Sequence, residues 1–328
     1  MHTARPWRRT VLTLAVTGAA LGCWAQVASA AAPGATTGGA AVIGPASATL
    51  TGSIDPRGLS TRYHFLYGPT TAYGSRTATV EAGAGTRTVT AAGDATGLAP
   101  NTTYHYRIVA TNRDGTTRGA DRTFRTQRQP LGLTLTAAPN PVPYGQAVIV
   151  GGILSGTGNA GRQVQLFQNA FPFTAGFTPV GTPLTTDAAG GFSIAVPPPA
   201  VTTQFRVRLV ADPGTASAIL TVPVAVRVST GVVIGHRRSD GVRLVRFAGR
   251  VRPARDGALY GIQRKTSKGT WVTVAGGITH HEDSTSSRYA RRVRVRHSAT
   301  YRVFVQIVDG NYVSAAGREV AIRLHRAR

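Results

Sequence analysis

The chain has 328 residues, 37 Lys+Arg against 13 Asp+Glu, a net charge of +24 and a single cysteine. A chain of this length makes roughly two to three domains, each large enough to bury a core of its own, and one cysteine excludes a disulfide framework. Twenty of the basic residues but only six acids lie beyond residue 228, a concentration of charge that points towards an anionic partner of the C-terminal third.

Residues 1–30 read as a signal peptide. Arg5, Arg8 and Arg9 form a positive start, Val11 to Val27 is largely apolar, and Ala28-Ser29-Ala30 supplies the small residues a signal peptidase needs. Cleavage is expected after Ala30, with Ala32 as second choice, leaving a mature chain with no cysteine and no transmembrane span. Arg8-Arg9 opens twin-arginine export as an alternative route. Ala20-Leu21-Gly22-Cys23 partly matches a lipid-attachment box, so anchoring through Cys23 is a second alternative. The expected location is secreted: extracellular or cell-wall associated.

Residues 31–41, rich in Ala, Gly and Thr, are expected to be a flexible leader. From there short β-patterned runs alternate with Gly, Pro, Asn and Asp turns, and no long segment has a helical apolar period. A first module is placed at 42–127. Its clearest strands are Tyr63 to Tyr67 and Tyr104 to Ala110, and period two puts Tyr63, Phe65, Tyr67, Tyr104, Tyr106 and Ile108 on its inner face. Leu98-Ala99-Pro100-Asn101-Thr102-Thr103-Tyr104 and Tyr67-Gly68-Pro69-Thr70-Thr71-Ala72-Tyr73-Gly74 resemble the fibronectin type III modules of bacterial surface proteins and secreted enzymes. The resemblance implies a two-sheet sandwich in which Tyr104 forms a tyrosine corner, its hydroxyl bonded to upstream backbone. The tryptophan usual in that family's second strand is absent, Ala48 to Ile54 taking its place.

A second module is placed at 131–229, with β runs at 147–150, 163–168, 192–196, 205–210 and 219–228. The turn Thr186-Asp187-Ala188-Ala189-Gly190-Gly191-Phe192 resembles a hairpin of bacterial Ig-like domains. A third, strongly basic module is placed at 230–328, where Ser298-Ala299-Thr300-Tyr301-Arg302-Val303 is similar to a second tyrosine corner at Tyr301. The fold class expected is therefore all-β: three tandem Ig-like or fibronectin type III-like β-sandwiches after a signal peptide.

Motifs that could carry chemistry are few. Gly156-Thr157-Gly158-Asn159-Ala160-Gly161 spells a nucleotide-binding loop but precedes the alternating run Arg162 to Leu166, so it reads as a strand-to-strand loop. His280-His281-Glu282-Asp283 gathers metal-ligand types, yet neighbours in an extended segment point opposite ways; a solvated loop is expected, at most a weak calcium edge. His64 and His105 should face outward on neighbouring strands. Asn101-Thr102-Thr103 is a glycosylation sequon by spelling only. No nucleophile elbow, P-loop or facing carboxylate pair is present, so no enzyme activity, metal or cofactor is expected.

The pattern that stands out is arginine alternation in the third module. Arg246, Arg250 and Arg252 flank Phe247 and Val251, while Arg292, Arg294 and Arg296 flank Val293 and Val295. If the two strands share a sheet, six guanidinium groups cover one outer face. The expected partner is an anionic cell-wall polymer or another extracellular polyanion held by charge, with no specific nucleic acid, there being neither a recognition helix nor a run of stacking aromatics. The plain alternative is an arginine-rich surface that only keeps the protein soluble. Function is thus expected to be non-catalytic, structural or interactive. The competing reading is a polysaccharide-binding accessory protein, for which Trp271 and Tyr312 are the aromatic candidates.

Overall fold

The computed structural model describes residues 31–237 and 242–324; the segment read as a signal peptide, with Arg8, Arg9 and Cys23, lies outside them. Every regular element among the described residues is a β-strand, and no helix among them is long and apolar enough to cross a membrane. The chain divides into two compact units, one ending at Gln127 and one beginning at Arg128.

In the first unit one sheet orders Gly34–Ala41, Ser47–Asp55 and Val89–Thr96. The other is built on the pair Thr61–Gly68 and Thr103–Asn112, with shorter strands on either side. Alternation along the strands sends Leu50 and Ile54 from the first sheet against Phe65, Tyr106 and Ile108 from the second, all essentially inaccessible to water. The product is a β-sandwich of the Ig-like or fibronectin type III-like class.

The expected flexible leader is the edge strand of this sandwich: Gly34–Ala41 pairs antiparallel with Ser47–Asp55. Apolar alternation does not reveal it, because what fixes it is hydrogen bonding and close backbone approach. Thr37 is buried and its Oγ1 accepts the Ile108 N–H at 3.3 Å, while the Tyr106 hydroxyl donates to the Gly38 carbonyl at 2.7 Å. A Cβ at Gly38 would lie 2.9 Å from the Thr51 carbonyl oxygen, so the small residues are what let the strand lie flat.

The second unit repeats the arrangement twice. In residues 132–222, Val148–Ser155 pairs with Thr136–Ala138 and Gly191–Val196, opposite a sheet ordered Thr178–Thr185, Gln163–Ala170, Thr203–Leu209, Leu220–Val222. In residues 227–322, Arg243–Arg252 pairs with Ser286–Val295, opposite a sheet centred on Leu259–Lys265 and Ala299–Val305. One continuous core runs through both sandwiches, from Val150 and Phe205 to Phe247, Ile262 and Val303.

The stretches 131–229 and 230–328 are therefore joined more closely than their sequences imply. The Val313 N–H donates to the Val224 carbonyl at 2.8 Å, and the Val226 N–H to the Val313 carbonyl at 3.2 Å. Both the N–H and the Oγ1 of Thr202 donate to the Asn311 carbonyl at 2.8 Å. Tyr312, one of the two aromatic candidates for a glycan platform, is instead buried in this seam: its hydroxyl donates to the Ala200 carbonyl at 2.7 Å, and the Arg255 guanidinium lies 4.1 Å over its ring. The turn at Asp309-Gly310-Asn311 thus plugs one sandwich into the next.

Candidate polyanion-binding face

Arg243–Arg252 and Ser286–Val295 each alternate an arginine-bearing outer side with an inner side of Val245, Phe247, Val251, Val293 and Val295. The antiparallel register sets Arg246 directly opposite Arg292, Arg250 opposite Arg288, and Leu244 opposite Arg294. Four of the six arginines singled out in the sequence, Arg246, Arg250, Arg292 and Arg294, thus share one exposed face. Arg252 ends its strand on the same side, opposite Arg227. Arg296 is exposed but lies one residue beyond the end of Ser286–Val295. Arg288 escaped notice because no valines flank it; counting back in twos from Arg294 through Arg292 and Ala290 reaches it.

Like charges directly opposite one another on a sheet repel. Among the described residues no carboxylate pairs with Arg246, Arg292 or Arg294. Arg250 differs: its Nε donates to Glu282 Oε2 at 2.7 Å. That bond holds the Glu282 carboxyl below its ordinary range and raises the arginine. Glu282 comes from His280–Asp283, which is an edge strand paired with Ser286–Val295 where a solvated loop was expected. His280 and Glu282 face the basic side. His281 instead reaches Asp256, at 3.0 Å, and hydrogen bonds from Thr285 and Ser286 hold the Asp283 carboxyl low. The four residues do not converge, and no group of three or more metal-ligand side chains occurs among the described residues.

Beneath this face Tyr289 is buried, its hydroxyl donating to the Ser229 carbonyl at 2.7 Å and lying 2.7 Å from Thr230 Oγ1. Burial pushes its ionisation up to about 12. The two tyrosines expected at corners differ from each other. The Tyr104 hydroxyl accepts the N–H of Ala99, five residues upstream, at 2.9 Å. Tyr301 is buried against Phe247, with 5.5 Å between ring centres, and its hydroxyl has no hydrogen-bond partner among the described residues.

The remaining motifs sit as follows. Gly156 to Gly161 links Val148–Ser155 to Gln163–Ala170 with no helix after it. His64 lies opposite Val109 and His105 opposite Gly68, so the two histidines do not meet; His105 Nδ1 is 2.7 Å from Asp121 Oδ2 instead.

No family model matches the chain, and no curated protein matches it. Among solved structures, a tetra-tandem repeat in the extending region of a large adhesion protein is 13% identical, with 88% of this chain and 74% of that chain covered and a TM-score of 0.28. The FN1–FN3 domains of chicken CNTN1 are 13% identical, with 89% and 100% covered and a TM-score of 0.32. Likenesses this weak say nothing about partner or activity.

Proposed function

We propose that the protein is an exported, non-catalytic structural or interaction protein of the extracellular space or cell wall, built as three sandwich modules. The module boundaries proposed are those read from the sequence, 42–127, 131–229 and 230–328, with the first extended back to take in Gly34–Ala41. Its basic C-terminal module holds an anionic polymer on the face of Arg246, Arg250, Arg252, Arg292 and Arg294, with Arg296 at its end and Arg288 added.

The observation that carries this reading is the register that sets Arg246 opposite Arg292 with no carboxylate paired to either among the described residues. A pair of guanidinium groups held together on facing strands costs stability until an anion lies between them. Contact of this kind releases counterions, so binding should weaken steeply with salt and ignore base or sugar sequence. The test is a salt titration of full-length protein binding to a purified anionic wall polymer, beside a variant with Arg246, Arg292 and Arg294 changed to Gln. Each lost phosphate contact should reduce the salt slope by roughly one. Equal binding by the variant, or binding indifferent to salt, would refute the reading.

A polysaccharide-binding accessory role is the second reading. It is favoured by the opposite outer face, where Gly261 pairs with both Gly276 and Phe304 and leaves a notch in the sheet. Pull-down with wall fractions separates the two: a neutral glycan retained at high salt supports the second.

A further inference from the structure

The basic face is a groove with a floor of small residues. Across three neighbouring strands the register aligns Gly231, Ala248 and Ala290 in one row. On one side of that row stand Arg246 and Arg292, and on the other Arg250, Arg288 and His280. The open groove between them, about 540 Å³, is lined by Arg246, Ala248, Arg250, Arg288, Ala290 and His280, while Gly231 and Arg292 flank it on the same face. Because strands advance about 3.3 Å per residue, the two basic rows are separated by about 13 Å. The backbone demands a small residue at Gly249, where a Cβ would collide with the Ser229 carbonyl oxygen, but not at Gly231 or Ala290. A Cβ at Gly231 would meet no atom closer than 3.6 Å, and Ala290 is exposed.

Resting on the polyanion reading above, we infer that this groove takes a linear polymer in which a neutral sugar ring separates successive phosphodiesters, the ring lying on Ala248 and Ala290 and the phosphates reaching the two arginine rows. Four features favour that class. The basic rows stand apart, which suits anions that are spaced and not contiguous. The floor between them is uncharged and presents methyl groups, a surface a sugar ring can cover. Each row offers cations from facing strands, and a tetrahedral phosphodiester presents its two free oxygens to both strands, whereas a planar carboxylate is best met by one guanidinium edge-on. Finally, Glu282 lines the groove and already holds Arg250 at 2.7 Å. Its negative charge penalises a polymer with phosphate at every position more than one whose phosphates miss it, leaving Arg288 and His280 to receive the second anion.

The test uses full-length protein and three polymers matched in total charge: an oligomer of hexosyl phosphate, inorganic polyphosphate and hyaluronan. The expected order is hexosyl phosphate tightest. Ala290→Ile fills the floor without touching charge and should weaken hexosyl phosphate binding about tenfold while leaving polyphosphate within about twofold. Ala248→Ile, on the same floor, should act in the same direction, and retained polyphosphate binding shows that both variants are folded. Polyphosphate binding as tightly as hexosyl phosphate, hyaluronan binding tightest, or either Ile variant leaving hexosyl phosphate binding unchanged would overturn the sugar-phosphate inference while sparing the basic face. Loss of no polymer on changing Arg246 and Arg292 to Gln would overturn the basic face itself.

Discussion

The two outer faces of the C-terminal sandwich come from the same arginine-rich stretch of chain and are organised differently. On the face opposite the groove, the cations at its centre have partners: Arg302 lies 4.2 Å over the Trp271 ring and its Nε donates to Gln263 at 2.8 Å, and Lys265 is 3.3 Å from Glu319. On the groove face Arg246 stands across from Arg292, and among the described residues Arg250 alone is matched to an acid. A bias in composition would supply arginine to both faces alike. It does not explain why the central cations of one face are tied to a ring, an amide and a carboxylate while those at the centre of the other stand opposite one another. What distinguishes the faces is therefore position, and position is what a ligand would select.

The largest expected effect concerns the layer between the faces. Tyr289, under the basic sheet, bonds Ser229 at 2.7 Å, whereas Tyr260, under the opposite sheet, reaches Ala290 only at 3.4 Å. Tyr289→Phe should cost about 2 kcal/mol in unfolding free energy by leaving the buried Thr230 hydroxyl and the Ser229 carbonyl without their partner, and Tyr260→Phe distinctly less. Because burial raises Tyr289 from an ordinary 10 to about 12, its contribution is complete below pH 10 and is lost as pH climbs through 10 to about 12. Thermal melts across that alkaline range should show a loss that Tyr289→Phe flattens.

Next in size is the contrast in binding. Changing Arg246 and Arg292 together to Gln should weaken polyanion binding about tenfold, and changing Arg302 and Lys265 together to Gln should leave it unchanged. Equal losses from the two pairs would break the comparison. A smaller effect separates the tyrosines read as corners: Tyr104→Phe should cost about 1 kcal/mol because the Ala99 N–H loses its acceptor, and Tyr301→Phe only a few tenths, as urea midpoints would register. The smallest is Glu282→Gln, which frees Arg250 and removes a negative charge from the groove; polyanion affinity should rise about threefold at low salt. A fall would mean that Glu282 serves to position Arg250 for the ligand.

The sandwiches were legible in the sequence wherever inner residues were large. Val293 and Val295 announce a strand and thereby place Arg292 and Arg294, and the run Tyr104 to Ile108 does the same for the first unit. Gly34–Ala41 was not legible, since its inward residue is a threonine held by hydrogen bonds and its neighbours are too small to show a period. The arginine face was legible as two strips of alternation, but its pairing depends on a register that no local pattern states. Hence Arg288 was missed, and so was Glu282, which meets Arg250 from 32 residues away. Tyr312 looked like a surface aromatic because its turn has a hairpin's spelling. Its burial is decided by Ala200 and Tyr144, which lie more than a hundred residues earlier.

That buried turn has a mechanical consequence. A protein that grips a polymer at its C-terminal end passes any pull on that polymer back along its own chain, and the first place such tension meets is the join between the last two sandwiches. There Val313 bridges in parallel to Ala225, Thr202 holds the Asn311 carbonyl twice, and Tyr312 is anchored to Ala200. These bonds all cross the join beside the core that the two sandwiches share, so drawing the sandwiches apart breaks them and uncovers that core. The pair should therefore yield as one body under force, transmitting tension without lengthening at the joint.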